Sequence, residues 1–255
     1  MSGELLPSNI LSKRKMEKFR RRKRLAESIR RHVESGGEHI SKRVRIKLDK
    51  EKLKQNLANG VKFCIDCSFE KDLSQKEISK LAQQFCRTYG ANKKATVPFS
   101  MHLVNFNSSG PLAECCRRKC CGFDNYQIGF HAESPTEVFK DQKIIYLSPD
   151  APDPLIEVEK DVVYVVGGLI DESIEKGRSL DKATNLNVSA ARLPIDEFAP
   201  ADWNPQNRVK ASALCINTLV EILLDVMHIK DWRQAFDKHL PHRHRTKTPA
   251  RLEGS

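Results

Sequence analysis

The sequence predicts an α/β fold on a largely parallel sheet, preceded by a basic helical extension. Three observations lead there. From residue 61 onward, short β-branched apolar runs alternate with helical patterns, as in strand–helix–strand units. One run, Val162–Val166, ends in Gly167-Gly168 with Asp171 just beyond, which puts two glycines and an acid at a strand's carboxyl end. The charge is also split. Residues 1–60 carry 18 Lys/Arg against 7 Asp/Glu, whereas residues 61–255 carry 26 of each, so the net charge of +11 resides in the first 60.

Each element has its own signal. Ser12–His32 is a basic helix candidate, carrying Lys13, Arg14, Lys15, Lys18, Arg20, Arg21, Arg22, Lys23 and Arg24 with sparse apolar positions, and Gly36-Gly37 ends it. A second basic segment spans 41–59. Val61–Asp66 reads as the first strand. Ser74-x-x-Glu77 is a capping box that opens a helix to about Tyr89, with Ile78, Leu81, Ala82 and Phe85 on one face. Ala91–Lys94 follows as a turn, and a second strand covers Met101–Phe106. Pro111 starts a short helix that Gly122 stops. Tyr126–Phe130 is a third strand, and Ser134-Pro135-Thr136-Glu137 repeats the capping signature. Lys143–Leu147 is the fourth strand and the glycine-ended run the fifth. A helix over Ser179–Asn187, a strand over Ala190–Leu193, a long helix over Val209–His228 and a last one over Asp231–His239 complete the set. The domains expected are therefore 1–60, 61–241 and a polar tail over 242–255.

A basic arm on a neutral body points to a polyanion partner, nucleic acid before a membrane surface. No apolar run is long enough to span a bilayer. The start lacks a secretory leader pattern, and Glu4, Glu17, Glu27 and Glu34 weigh against a mitochondrial presequence. Cys64-x2-Cys67 with Cys115, Cys116, Cys120 and Cys121 invites a four-thiolate zinc reading. Alternation along a strand turns Cys64 and Cys67 to opposite faces, and the other four lie on a helix, so no metal is expected. Free cysteines used as small core residues suit a nuclear or cytoplasmic compartment.

Strand ends at Leu147–Asp150, Gly167–Asp171 and Leu193–Asp196 suggest one crevice. Dinucleotide, Walker A, G-x-S-x-G and HExxH motifs are absent. Taken alone, the glycine-ended strand fits either a ligand turn or a plain strand with a solvated Asp. A glycine-lined crevice with one acid, on a chain with a basic arm, suits group transfer to nucleic acid.

The segments Ile65-Asp66-Cys67-Ser68-Phe69, Tyr89–Lys94, Tyr146–Asp150, Tyr164–Asp171, Lys182-Ala183, Ala191–Ile195, Asn217 and Asp231–Phe236 resemble, in order and spacing, the SPOUT-class tRNA methyltransferases that modify N1 of the purine at tRNA position 9. The likeness covers about residues 61–241. It implies a deep trefoil knot over about 143–225 and a monomer. It also implies S-adenosylmethionine lying against Leu147, Gly168, Glu172, Ser173, Ile174, Glu175, Lys176, Leu180 and Leu193, with Ala213, Leu214 and Cys215 closing the pocket. Asp171 matches the family's candidate general base, and Asp66 and Gln84 match two further active-site candidates. Asp66 fits equally a strand-end cap, and Gln84 an ordinary surface helix residue. The arm, with Lys93 and Lys94, would contact tRNA phosphates. Arg117, Arg118 and Lys119 read as ordinary surface charge. A non-catalytic tRNA-binding scaffold is the rival from another class.

Overall fold

The computed structural model describes residues 13–36, 41–170, 177–200, 203 and 214–240. The chain divides into two compact units, Met1–Leu48 and Asp49–Ser255. The first contains helix α1, Lys13–Glu34, which is followed by Gly36 in the left-handed region at φ +84, where glycine carries no steric penalty. Helix α2, Lys42–Asn59, begins in the first unit and ends in the second, one residue short of the compositional break at 60.

The second unit is built on a six-stranded, all-parallel sheet in the order β3-β2-β1-β5-β4-β6. Its strands are β1 Lys62–Asp66, β2 Ser100–Val104, β3 Gly129–Phe130, β4 Lys143–Leu147, β5 Val162–Gly167 and β6 Ser189–Ala191. Its helices are α3 Gln75–Lys94, α4 Pro111–Lys119, α5 Pro135–Val138, α6 Arg178–Asn185, α7 Ile195–Phe198, α8 Ile216–Ile229 and α9 Trp232–His239. Alternation along the strands builds two cores. Phe63, Ile65, Met101, Leu103, Ile145, Leu147, Tyr164 and Val166 face α3, α4, α8 and α9. Cys64, Val104, Ile144, Tyr146, Val163 and Val165 face Phe139 and Ala183 of α6. Cys64 and Cys67 thus belong to different cores, and burial raises both thiols well above the ordinary range.

Both capping boxes form: the Ser74 and Ser134 hydroxyls accept from the Glu77 and Glu137 amides, and each Glu reaches back. Several boundaries differ from expectation for identifiable reasons. Ala91–Lys94 is the last turn of α3, not a loop. Gly90 is accommodated in the helix, and buried Asn92 anchors its end by accepting from Phe99 N (2.7 Å) and donating to Phe99 O (3.0 Å). β2 stops at Val104 because Asn105 turns to φ 51. The third strand is only Gly129–Phe130, and the sixth is Ser189–Ala191. The long helix begins at Ile216, since Cys215 is extended (φ −60, ψ 143); the first part of the expected helix, 209–213, lies outside the described residues. No helix among the described residues is long and apolar enough to cross a membrane.

Candidate active site at the carboxyl edge of the sheet

The connection leaving β1 leads to β2 on one side, while β5 lies on the other and leads across β4 to β6. The carboxyl ends of β1 and β5 are therefore the switch point where open parallel sheets form ligand crevices. Asp66 and Gly167 face each other there as register partners, and Gly168 N donates to Asp66 O at 2.8 Å. Leu147 ends β4 opposite Val166 on one side and Ala191 on the other. Leu147 and Gly168 are buried, Leu180, Leu193 and Leu214 half-buried, and Cys215 exposed. Asp171, the segment Glu172, Ser173, Ile174, Glu175 and Lys176, and Ala213 lie outside the described residues.

The paired glycines have an internal cause. A Cβ on Gly168 would stand 2.8 Å from the Asp66 carbonyl oxygen, and one on Gly167 would stand 3.1 Å from the Phe69 ring. At Gly168 backbone crossing, rather than a ligand's approach alone, excludes a side chain, whereas at Gly167 it is the Phe69 ring that crowds the position.

The described residues on either side of 171–176 are anchored. On one side is the Gly168–Asp66 bond. On the other, Gly177 N donates to Asp150 Oδ2 at 2.8 Å. Arg178 donates to Asp72 Oδ2 at 2.7 Å, with its guanidinium 5.3 Å from the centre of the Phe69 ring. Sequence reasoning placed Asp150 at a crevice-forming strand end but missed Asp72 and Arg178.

Asp66 is fully buried, and its carboxylate caps the 3-10 turn that follows by accepting from Ser68 N at 2.9 Å. It also accepts from Asn105 Nδ2 at 2.7 Å and from the buried Tyr146 hydroxyl at 3.1 Å. Burial, and then the neighbouring Asp66 charge, push the Tyr146 phenol far above its usual range, so Tyr146 stays a donor. Gln84 is half-buried, and its Oε1 accepts from Ile216 N at 2.9 Å. It satisfies the first amide of α8 and sets where that helix begins.

The donor set fits a cofactor with an apolar purine face and an amino group. Leucines line the strand ends. Just past Cys215, the buried Oδ1 of Asn217 has no hydrogen-bond partner, an orphan that an amine donor would satisfy. A separate cavity of about 330 Å³ lies among Phe139, Lys143, Ile144 and Ser189, at the amino ends of β4 and β6 and away from these residues.

Lys15, Arg20, Arg21, Arg22, Lys23 and Arg24 are exposed on α1, which Lys13 and Arg14 open. Lys94 is exposed at the end of α3, and Lys93 lies 3.8 Å from Asp49.

The model of the family described as tRNA (guanine(9)-N(1))-methyltransferase TRM10/TRM10A matches residues 8–245. The chain is 39% identical over 230 residues to tRNA methyltransferase 10 homolog B of Danio rerio, covering 90% of this chain and 72% of the relative. To human homolog B it is 38% identical over 227 residues, covering 89% and 70%. The crystal structure of full-length spTrm10 in complex with SAH superposes with a TM-score of 0.62 at 28% identity, over 71% of this chain and 95% of that one. A dual-specific Trm10 from Thermococcus kodakaraensis shares the fold, with a TM-score of 0.54 at 18% identity over 70% and 99%.

Proposed function

The chain belongs to the TRM10/TRM10A family of tRNA (guanine(9)-N(1))-methyltransferases, and from that membership we propose that it methylates N1 of the purine at position 9 of tRNA, guanine before adenine. The observation that carries this reading is the reach of the match, residues 8–245, which takes in the basic helix and every strand of the sheet. The chain is an S-adenosylmethionine-dependent tRNA methyltransferase. What the membership leaves to proposal is which residues act.

Leu147, Gly168, Leu180, Leu193, Leu214 and Cys215 hold the cofactor, together with Glu172–Lys176 and Ala213. The bound cofactor supplies a methyl group already activated by its sulfonium. The protein's part is alignment of N1 with that methyl and, for guanine, removal of the N1 proton. Asp171 takes that proton as the N1–carbon bond forms and the carbon–sulfur bond breaks. Adenine N1 carries no proton, so with adenine Asp171 only orients the base. Gln84 acts at one remove, by fixing the start of α8 beside Leu214 and Cys215. The target base leaves its stack to reach the methyl.

The reading includes the trefoil knot over about 143–225. It is supported by the chain after β6 pairing with the loop after β4: Leu155 N donates to Arg192 O at 2.8 Å, and Arg192 N to Asp153 O at 2.9 Å. The basic arm with Lys93 and Lys94 grips tRNA phosphates, the protein acts as a monomer, and it works in the nucleus or cytoplasm.

Labelled methyl transfer to a tRNA transcript, with primer extension to locate the product, tests the function. The expected result is one methyl per tRNA and an extension stop at position 9. Cofactor binding without turnover would favour a scaffold role instead.

A further inference from the structure

Three donors converge on the Asp66 carboxylate from three parts of the sheet's edge. Oδ1 takes Ser68 N–H at 2.9 Å and Asn105 Nδ2–H at 2.7 Å, and Oδ2 takes the Tyr146 hydroxyl at 3.1 Å. The main-chain oxygen of the same residue takes Gly168 N–H at 2.8 Å. Asp66 has no solvent-exposed surface, and a general base must come within hydrogen-bond reach of the proton it removes. An ionised carboxylate is an acceptor only, and three of this one's roughly four acceptor sites already serve the scaffold.

We propose that Asp66 is a positioning residue, not a proton acceptor: it sets the spacing between the end of β4 and the end of β5 on which the methyl donor rests. Tyr146 is the neighbour of Leu147, and Gly168 is bonded directly to Asp66. The inference deepens the proposed function and depends on its reading that the cofactor lies against those two residues. Asn105 brings β2 into the hub as well. Its left-handed φ of 51 turns the chain after β2 as its amide donates to Asp66. The end of β2 is thus locked to β1 in the same stroke.

The hydrogen-bond chemistry distinguishes a positioning acid from a catalytic one by substitution. In Asp66→Asn, the amide oxygen can keep Ser68 N–H and Asn105, while the new NH2 donates to Tyr146, whose hydroxyl can accept as well as donate. Asp66→Ala takes this partner from the buried Tyr146 hydroxyl and from two half-buried donors, Ser68 N–H and the Asn105 amide. Tyr146→Phe removes one donor and leaves Oδ2 unpaired, a milder change should the alanine variant fail to fold.

The experiment measures single-turnover methylation against pH, KM for S-adenosylmethionine and binding of S-adenosylhomocysteine, for wild type, Asp66→Asn, Asp66→Ala and Tyr146→Phe. Positioning predicts that Asp66→Asn stays within about threefold of wild-type rate with an unchanged pH profile. It predicts weaker S-adenosylhomocysteine binding and higher KM in Tyr146→Phe, by about threefold to tenfold, with the rate at saturation largely kept. Asp66→Ala should show a larger loss of the same kind, by tenfold or more. Loss of the rate in Asp66→Asn, or a flattened pH profile, would overturn the proposal, as would unchanged cofactor binding in both Tyr146→Phe and folded Asp66→Ala. A wild-type protein that transfers no methyl would instead defeat the underlying reading, and the binding arm separates the two failures.

Discussion

Gly168 has room for no side chain, because the Asp66 carbonyl oxygen stands only 2.8 Å from where a Cβ would go. Both partners are backbone and buried, so neither can swing aside. Gly168→Ala is therefore expected to destabilise the domain by about 1–3 kcal/mol, read from urea unfolding, and to weaken S-adenosylhomocysteine binding. An alanine variant of wild-type stability and affinity would show that the β1–β5 crossing is looser than drawn. The glycine pair was legible in the sequence as a place of close approach, but its immediate cause was not. A run of apolar letters cannot say which backbone oxygen will lie 2.8 Å from a missing carbon. Asp66 follows the same pattern. The sequence offers a strand-end acid and leaves cap and catalyst open, while the partners that decide, Asn105 just after β2 and Tyr146 in β4, lie far along the chain.

Among elements, the edge of the sheet holds a buried histidine relay. Ser100 Oγ donates to Leu57 O at 2.8 Å, so it accepts from His102 Nε2 at 2.9 Å, and His102 Nδ1 then accepts from His131 Nε2 at 3.0 Å. This ties α2, β2 and the chain after β3 together through a neutral His102. Burial first, then the charges of His131 and Lys62, push the His102 pKa down to about 4. The unfolded chain binds a proton near the ordinary histidine value of about 6.5, so the folded state's depressed pKa gives stability that is present above about pH 6.5 and lost as pH falls towards 4. The loss attributable to His102 is about 2 kcal/mol between about pH 7 and pH 5. Urea midpoints at those two pH values should shift less in His102→Gln than in wild type. An equal shift in both would remove His102 as the cause. Element types were largely legible, since apolar alternation and the capping boxes at Ser74 and Ser134 are local signals. Boundaries set by distant contacts were not. Asn92 holds the end of α3 through Phe99, and Gln84 meets the start of α8 across 132 positions of sequence.

For the whole molecule, the charge split is the strongest organising feature. The net charge of +11 sits in the first 60 residues, and α1 presents Arg20, Arg21, Arg22, Lys23 and Arg24 exposed. Phosphate contacts of this kind release counterions, so their contribution falls with salt. Deleting residues 1–40 should weaken tRNA binding at low salt by at least tenfold, reduce the salt slope, and leave S-adenosylhomocysteine affinity within about twofold. Equal tRNA affinity with and without the arm would contradict its role. The sheet's strand order and the family to which the chain belongs agree on the fold. The local patterns of the sequence alone lead to an α/β domain, and the order β3-β2-β1-β5-β4-β6, which puts Asp66 and Gly167 side by side, follows from long-range pairing.

On the proposed function, N1 of the position-9 purine takes the methyl in this crevice, and Asp171 is proposed to remove a proton where the purine has one. The most direct test is single-turnover methylation, across a range of pH, of two tRNA transcripts that differ only in carrying guanine or adenine at position 9. The expected result is a single methyl at position 9 of the guanine transcript, at a rate that rises with pH. The adenine transcript should react more slowly and with little pH dependence. Methylation that ignores the base at position 9, or a guanine rate indifferent to pH, would contradict it.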